Sequence, residues 1–439
     1  MRGNAAIAKS GLMVAWLLVS AWPAPAAIAG NGFPQPFDTG VSYVRELFVD
    51  ASAQPGGDGS RNAPLRDIAA ALEQATPGTR VRIAAGTYGA VGSIARLQGT
   101  ARAPIALVGD GEVVIDAAGR AAGLHLVDPR YVVIDGLDIR NAVPHGINID
   151  DGGSYDSPAS HIVLRDVSFS RIGDGGNNDC LKMSGVDHFY VERSRFAGCN
   201  QGEAIDMVGC HDGVVAGNTF ADMPGSAVQT KGGSSDVLIH GNRFTGIGQR
   251  ALNAGGHTGR PYFRPLDAGH EAERIRMVAN VIERSGSAAV VFSGCEDCVF
   301  ANNTVVHPGD FVARIVEENR ERGAGAGGFF INNVIVFAES RLRGYVDVGA
   351  GSRPATFTLG WNLWYAVDDE SFAGPEYTDG LPAEKNAIVG KNPLLDAGRR
   401  PSAGSPAFVP GREVPLGPVA DFERREYGQP PNRGAFAGR

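Results

Sequence analysis

The chain has 439 residues, 61 of them glycine and 26 proline, so glycine runs at about twice the ordinary usage of ~7%. With 43% hydrophobic residues and no long run of like charge, the sequence describes a folded protein with many tight turns, and the missing Gly-X-Y period excludes collagen. A formal net charge of -8 argues against nucleic acid as the main partner.

Residues 1–29 read as an export signal. Arg2 and Lys9 supply a positive start, Gly11 to Trp22 an apolar stretch, and Ala27-Ile28-Ala29 a small-residue cleavage site before Gly30. The apolar run is shorter than the roughly 20 residues of a spanning helix, so a periplasmic or secreted chain without a membrane span is expected. Cleavage removes two basic residues and leaves 38 basic against 48 acidic, a net charge of -10. The five cysteines, Cys180, Cys199, Cys210, Cys295 and Cys298, cannot all pair internally. Cys295 and Cys298 read as a local disulfide, because no second CxxC completes a zinc site.

Residues 30–104 are expected to hold an N-terminal cap and the first coils, with an amphipathic helix over 64–75 that ends before Pro77-Gly78. From 105 to 365 one pattern recycles: a short apolar strand, Gly or Asp, then a second strand that often ends in Asn-x-apolar. Phe196, Phe220 and Phe244 recur every 24 residues. Asn218, Asn242, Asn280, Asn303, Asn333 and Asn362 are placed to stack as a ladder between coils. Such a period with β-rich segments predicts a solenoid. The leucine-rich skeleton is missing, turns come too often for helical repeats, and a propeller blade needs about 40 residues. The fold class expected is therefore all-β, a single-stranded parallel β-helix, followed over 366–439 by an irregular tail. From about residue 42 to 365 the chain resembles the right-handed, pectin-lyase-like β-helix family. That resemblance implies a helical cap at the N-terminal end and a C-terminal wrap.

Alternation along the strand that opens each coil points every second side chain outward. Aligned, these strands give an outward column of His125, Asn148, Lys182, Asp206, Gln229 and Asn253. Long turns follow the same strand at 150–160, 255–273 and 317–327, as expected of loops that wall a groove. The largest carries His257, Arg260, Tyr262 and Arg264, residues suited to stacking on sugars and pairing with carboxylates. Only five lysines occur, and the two in the solenoid, Lys182 and Lys231, both fall at the column. Asp179, Glu203 and Asp206 lie beside them on adjacent coils, an oxygen set suited to a hard cation such as Ca²⁺.

NNDCLKMSG (177–185) followed by GEAIDMVG (202–209) resembles the acid-cluster calcium site of one pectate lyase family, with Gly202 where that family has a further acid. AVQTKGGSSDVLIHGNRF (227–244) resembles the catalytic-lysine coil of the alginate lyase and chondroitinase B family, which places Lys231 on the lysine and Arg250 near the arginine. Together these resemblances imply a polysaccharide lyase. Lys231 would be the base, assisted by Arg250 and Lys182, with Ca²⁺ on Asp179, Glu203 and Asp206. Gln229, Asn253, His257, Arg260, Tyr262 and Arg264 would bind an anionic polysaccharide or oligosaccharide. The alternatives are a non-catalytic carbohydrate-binding or structural β-helix, a uronate C5-epimerase using His257, and a glycoside hydrolase, although the Gly-His-Gly and Arg-x-Lys signatures of β-helix polygalacturonases are missing. A monomer is expected.

Overall fold

The computed structural model describes residues 33–438 except 120, 121, 155, 378, 418 and 419, so the expected signal at 1–29 lies outside the described residues. Strands of two to twelve residues pair in parallel with the equivalent strand of the next coil, which makes an all-β solenoid. One face is a separate sheet of ten strands, Gly92–Ala95, Leu124–Val127, Ile147–Asp150, Leu181–Ser184, Ile205–Val208, Val228–Lys231, Arg250–Gly255, Ala288–Ser293, Phe311–Val316 and Gly344–Val348. We call it the site sheet. The other two faces are built from strands such as Val186–Glu192 and Arg195–Ala197, each stacked on its counterparts above and below.

Register on the site sheet follows from burying one face. His125 pairs with Asn148, Asn148 with Lys182, Lys182 with Asp206, Asp206 with Gln229, and Gln229 with Asn253, so the column expected from alternation forms. It continues through Val291, Arg314 and Asp347. A slip of one residue would turn Leu181 and Met183, both buried, out to water.

Inside, identical side chains stack on themselves. The rings of Phe169, Phe196, Phe220 and Phe244 lie 4.9, 4.8 and 4.6 Å apart, one strand spacing per step. The asparagine ladder runs through all six expected positions, each amide donating to the next carbonyl oxygen at 3.0 to 3.2 Å. Glu384 ends it, accepting from Asn362, Trp364 and Tyr377. Coils also meet where no side chain fits: a Cβ on Gly309 would lie 1.9 Å from the carbonyl oxygen of Gly286.

The N-terminal helix is Ile68–Glu73, capped by the Asp67 side chain, which accepts from the Ala69 N–H. It is shorter than the expected 64–75 because Leu65 is held in extended backbone, donating to Phe48 and accepting from Asp50. The C-terminal tail runs back along the solenoid. Arg399 pairs with Glu283, Ala420 accepts from His240, and Arg424 reaches both Glu192 and the ring of Phe33. Phe33 packs with Val163, Tyr190 and Val214 on an outward apolar stripe, so both terminal segments cover the same flank. Disulfides join Cys180 to Cys199 and Cys295 to Cys298, leaving Cys210 free and buried. Among the described residues no helix is long and apolar enough to cross a membrane.

Candidate functional site

The centre of the site sheet gathers five charged side chains from three adjacent coils. Asp206, outward on Ile205–Val208, is fully buried because Lys182 from the coil below and Lys231 from the coil above close over it. Lys182 bonds Asp206 Oδ2 directly, and Lys231 Nζ lies 3.1 Å from the same oxygen. Asp179, also fully buried, lies 3.6 Å from Lys182 Nζ and accepts the Glu203 N–H at 3.0 Å. One oxygen from each of Asp179, Glu203 and Asp206 falls within 4.8 Å of the others.

Local geometry explains this placement. The disulfide between Cys180, next to Asp179, and Cys199, four residues before Glu203, ties the two acid-bearing coils together. Gly202 carries no acid for a steric reason: a Cβ there would lie 2.2 Å from the carbonyl oxygen of Asn178. Sequence reading missed His145, whose Nδ1 accepts the Asp179 N–H at 3.1 Å and so leaves Nε2 to carry the proton of the neutral ring.

Crowding sets the electrostatics. Burial and then Asp206 push the Asp179 carboxyl up, and burial with both neighbouring acids pushes Glu203 up. Burial alone would lower Lys182, but Asp206 and Asp179 outweigh it, so its pKa is raised and it stays an ammonium. The buried oxygens Asp179 Oδ2 and Asp206 Oδ1 accept no hydrogen bond from any described residue. Buried carboxylate oxygens without donors, in an all-oxygen set, fit a hard cation such as Ca²⁺.

The remaining predicted residues divide into two groups. Arg250 lies with Asn253 and makes a double contact with Glu318, and His257 Nδ1 donates to the Glu318 carbonyl at 3.1 Å. Gln229 is buried and donates to Gly255 O at 3.2 Å. Tyr262 and Arg260 stand exposed on the insertion, on the short turn Arg260–Tyr262. Arg264 turns away to Asp151, with Nε 2.9 Å from Oδ2. Neither Glu318 nor Asp151 was picked out from sequence, since these partners lie 68 and 113 residues from the arginines they bind.

The insertion and the 317–327 loop form one wall. Fully buried Glu271 accepts from the Gly232 N–H, from the Thr258 N–H and hydroxyl, and from the Asn319 amide. Lys231 is thus followed by a turn fixed to both loops. Arg322 adds a cation–π contact 4.0 Å above the ring of Phe263, which packs in the interior.

Parallel coils, an asparagine ladder and an outward column of polar and charged side chains define the class: a parallel β-helix with a polar column along one face. Residues 122–323 match the family model for the right handed beta helix region, and the parallel β-solenoid of the structure extends to either side of that segment. In sequence it is similar to pectate lyase PEL9 of Emericella nidulans, 26% identical over 195 residues, which cover 39% of this chain and 45% of that protein. The matched segment thus spans under half the length of that curated relative. The structure resembles the crystal structure of pectate lyase Pel9A at 17% identity, covering 91% of this chain and 98% of that one, with a TM-score of 0.49. A solved glycoside hydrolase is similar at 12% identity, covering 82% and 99%, with a TM-score of 0.52. At 12% identity the likeness to the glycoside hydrolase speaks for the fold alone.

Proposed function

We propose that the protein is an exported, carbohydrate-active lyase that cleaves a uronic-acid-containing polysaccharide by β-elimination. One observation carries the reading: Lys182 and Lys231 converge on Asp206 in an outward column beside the loop wall, with Asp179 and Glu203 next to them. In the reaction Lys231 Nζ takes the C5 proton of a uronate, and that electron pair forms the C4–C5 double bond. The C4–O4 bond breaks, the departing oxygen takes a proton from water, and the proton on Lys231 returns to solvent. Lys182, held as an ammonium, supplies positive charge where the carboxylate becomes enolate-like. Asp179, Glu203 and Asp206 would hold Ca²⁺, which would supply positive charge against the substrate carboxylate.

A second reading, carbohydrate binding without turnover, is favoured by the same Asp206, since Lys231 Nζ rests against a buried carboxylate at 3.1 Å instead of standing free as a base. Mass spectrometry of products from pectate, alginate and glycosaminoglycans separates the two. The lyase yields fragments one water lighter than hydrolysis products. Intact polymer, or fully hydrated fragments, would remove the proposal.

A further inference from the structure

The charges of the site sheet are settled within the protein, apart from its centre. The sheet strands carry Lys182, Lys231, Arg250 and Arg314 as their only lysines and arginines. Arg250 is doubly bonded to Glu318, and Arg314 Nε donates to Asp347 at 2.7 Å. Below the centre, His125 pairs with Asp150 at 2.6 Å, and Asn148 donates to the same carboxylate. Counting Asp150, Asp206 and Asp347 on the strands with Asp179, Glu203 and Glu318 against them, four basic side chains face six acidic ones. Exposed Arg260 belongs to the insertion rather than to the sheet.

A polymer lying along the column advances about one strand spacing of ~4.8 Å per coil, close to the length of one sugar unit. Each unit on either side of the centre then meets a surface of self-paired ions, Asn148 and His125–Asp150 below and Arg250–Glu318 above, the amides of Gln229 and Asn253 being buried beneath it. Hydroxyl groups suit such a surface. A carboxylate there finds no open cation on the strands and is repelled by Asp150 or Glu318.

We propose that the groove selects a heteropolysaccharide in which a uronate alternates with neutral sugars, reading one carboxylate at the Lys182–Lys231 centre, and that Glu318 enforces the choice by occupying the guanidinium of Arg250. This rests on the lyase reading for the centre but concerns recognition, so binding tests it independently of turnover. The exported chain is compared on two homopolyuronates, polygalacturonate and polymannuronate, and two alternating polymers, rhamnogalacturonan backbone and hyaluronan. Affinity electrophoresis and the rise of unsaturated product are both read. The expected result is at least tenfold preference for an alternating polymer. Glu318→Gln, which frees Arg250, should improve homopolyuronate binding about fivefold, and the gain should vanish in the Arg250→Ala/Glu318→Gln double variant. Equal or better use of homopolyuronates by the wild type would overturn the proposal, as would an unchanged Glu318→Gln. Binding of an alternating polymer without product would leave selection standing and remove the lyase reading. No binding to any of the four would remove both.

Discussion

Replacing Asn280 by alanine tests the claim that the ladder is a main source of order in the solenoid. Asn280 is fully buried; its side-chain oxygen accepts from the Asn242 N–H and the Asn242 amide, each at 3.0 Å. Its own amide donates to Ile239 O at 2.9 Å and to Asn303 Oδ1 at 3.1 Å. Alanine keeps the backbone N–H bond to Asn303 but orphans the Asn242 backbone N–H and one amide hydrogen of Asn242. Each buried donor left unpaired costs about 1–3 kcal/mol. Adding the space left by the amide, the expected loss is about 4 kcal/mol. Because stacked coils need not unfold as one unit, the assay is denaturant unfolding combined with amide hydrogen exchange. Exchange should accelerate most at Asn242 and in the coils through 239–244 and 279–284. A loss under about 1 kcal/mol with unchanged protection at Asn242 would refute the reasoning.

Three further outcomes are expected. Replacing Cys180 and Cys199 together by alanine should cost about 3 kcal/mol by releasing a loop of 19 residues, and calorimetry should show weakened Ca²⁺ binding because the two acid-bearing coils come untied. His240 is buried, and burial holds its pKa down at about 4, below the ordinary 6.5. The unfolded chain therefore binds more protons than the folded one in between. The contribution is complete above pH ~6.5 and is lost as pH falls through about 4, worth about 3 kcal/mol. Unfolding midpoints from pH 7.5 down to pH ~4 should fall more steeply in the wild type than in His240→Leu. Lys231→Ala should lower turnover by about 10²–10⁴-fold while the chain still folds, with some loss of melting temperature because Asp206 loses one of its two lysines, and full activity in that variant would remove Lys231 as the base.

What was legible in the sequence is what repeats. Inward and outward positions alternate along a strand, and coils recur at a nearly fixed step. The residue types at 125, 148, 182, 206, 229 and 253 were therefore enough to align a column the structure reproduces. The six asparagines were legible for the same reason. Partners contributed by irregular loops were not. Glu318, Asp151 and Glu271 reach their arginines and backbone groups across insertions whose paths have no period, so Arg250 and Arg264 gave no sign of being paired. His145 was hidden because it precedes its strand by two residues and contacts Asp179 through a backbone N–H. The Cys180–Cys199 pairing was equally silent, since an odd count of cysteines leaves connectivity open.

β-Elimination at the lysine–acid centre leaves an unsaturated uronate, which ultraviolet absorbance reads without a coupled assay. The wild type and Lys231→Ala are followed side by side on polyuronates, rhamnogalacturonan backbone and glycosaminoglycans, each with calcium and with chelator. A rise from unsaturated uronate is expected in the wild type with calcium, depressed by chelator and lost in the variant. No rise on any polymer, or an equal rise in the variant, would contradict β-elimination at that centre.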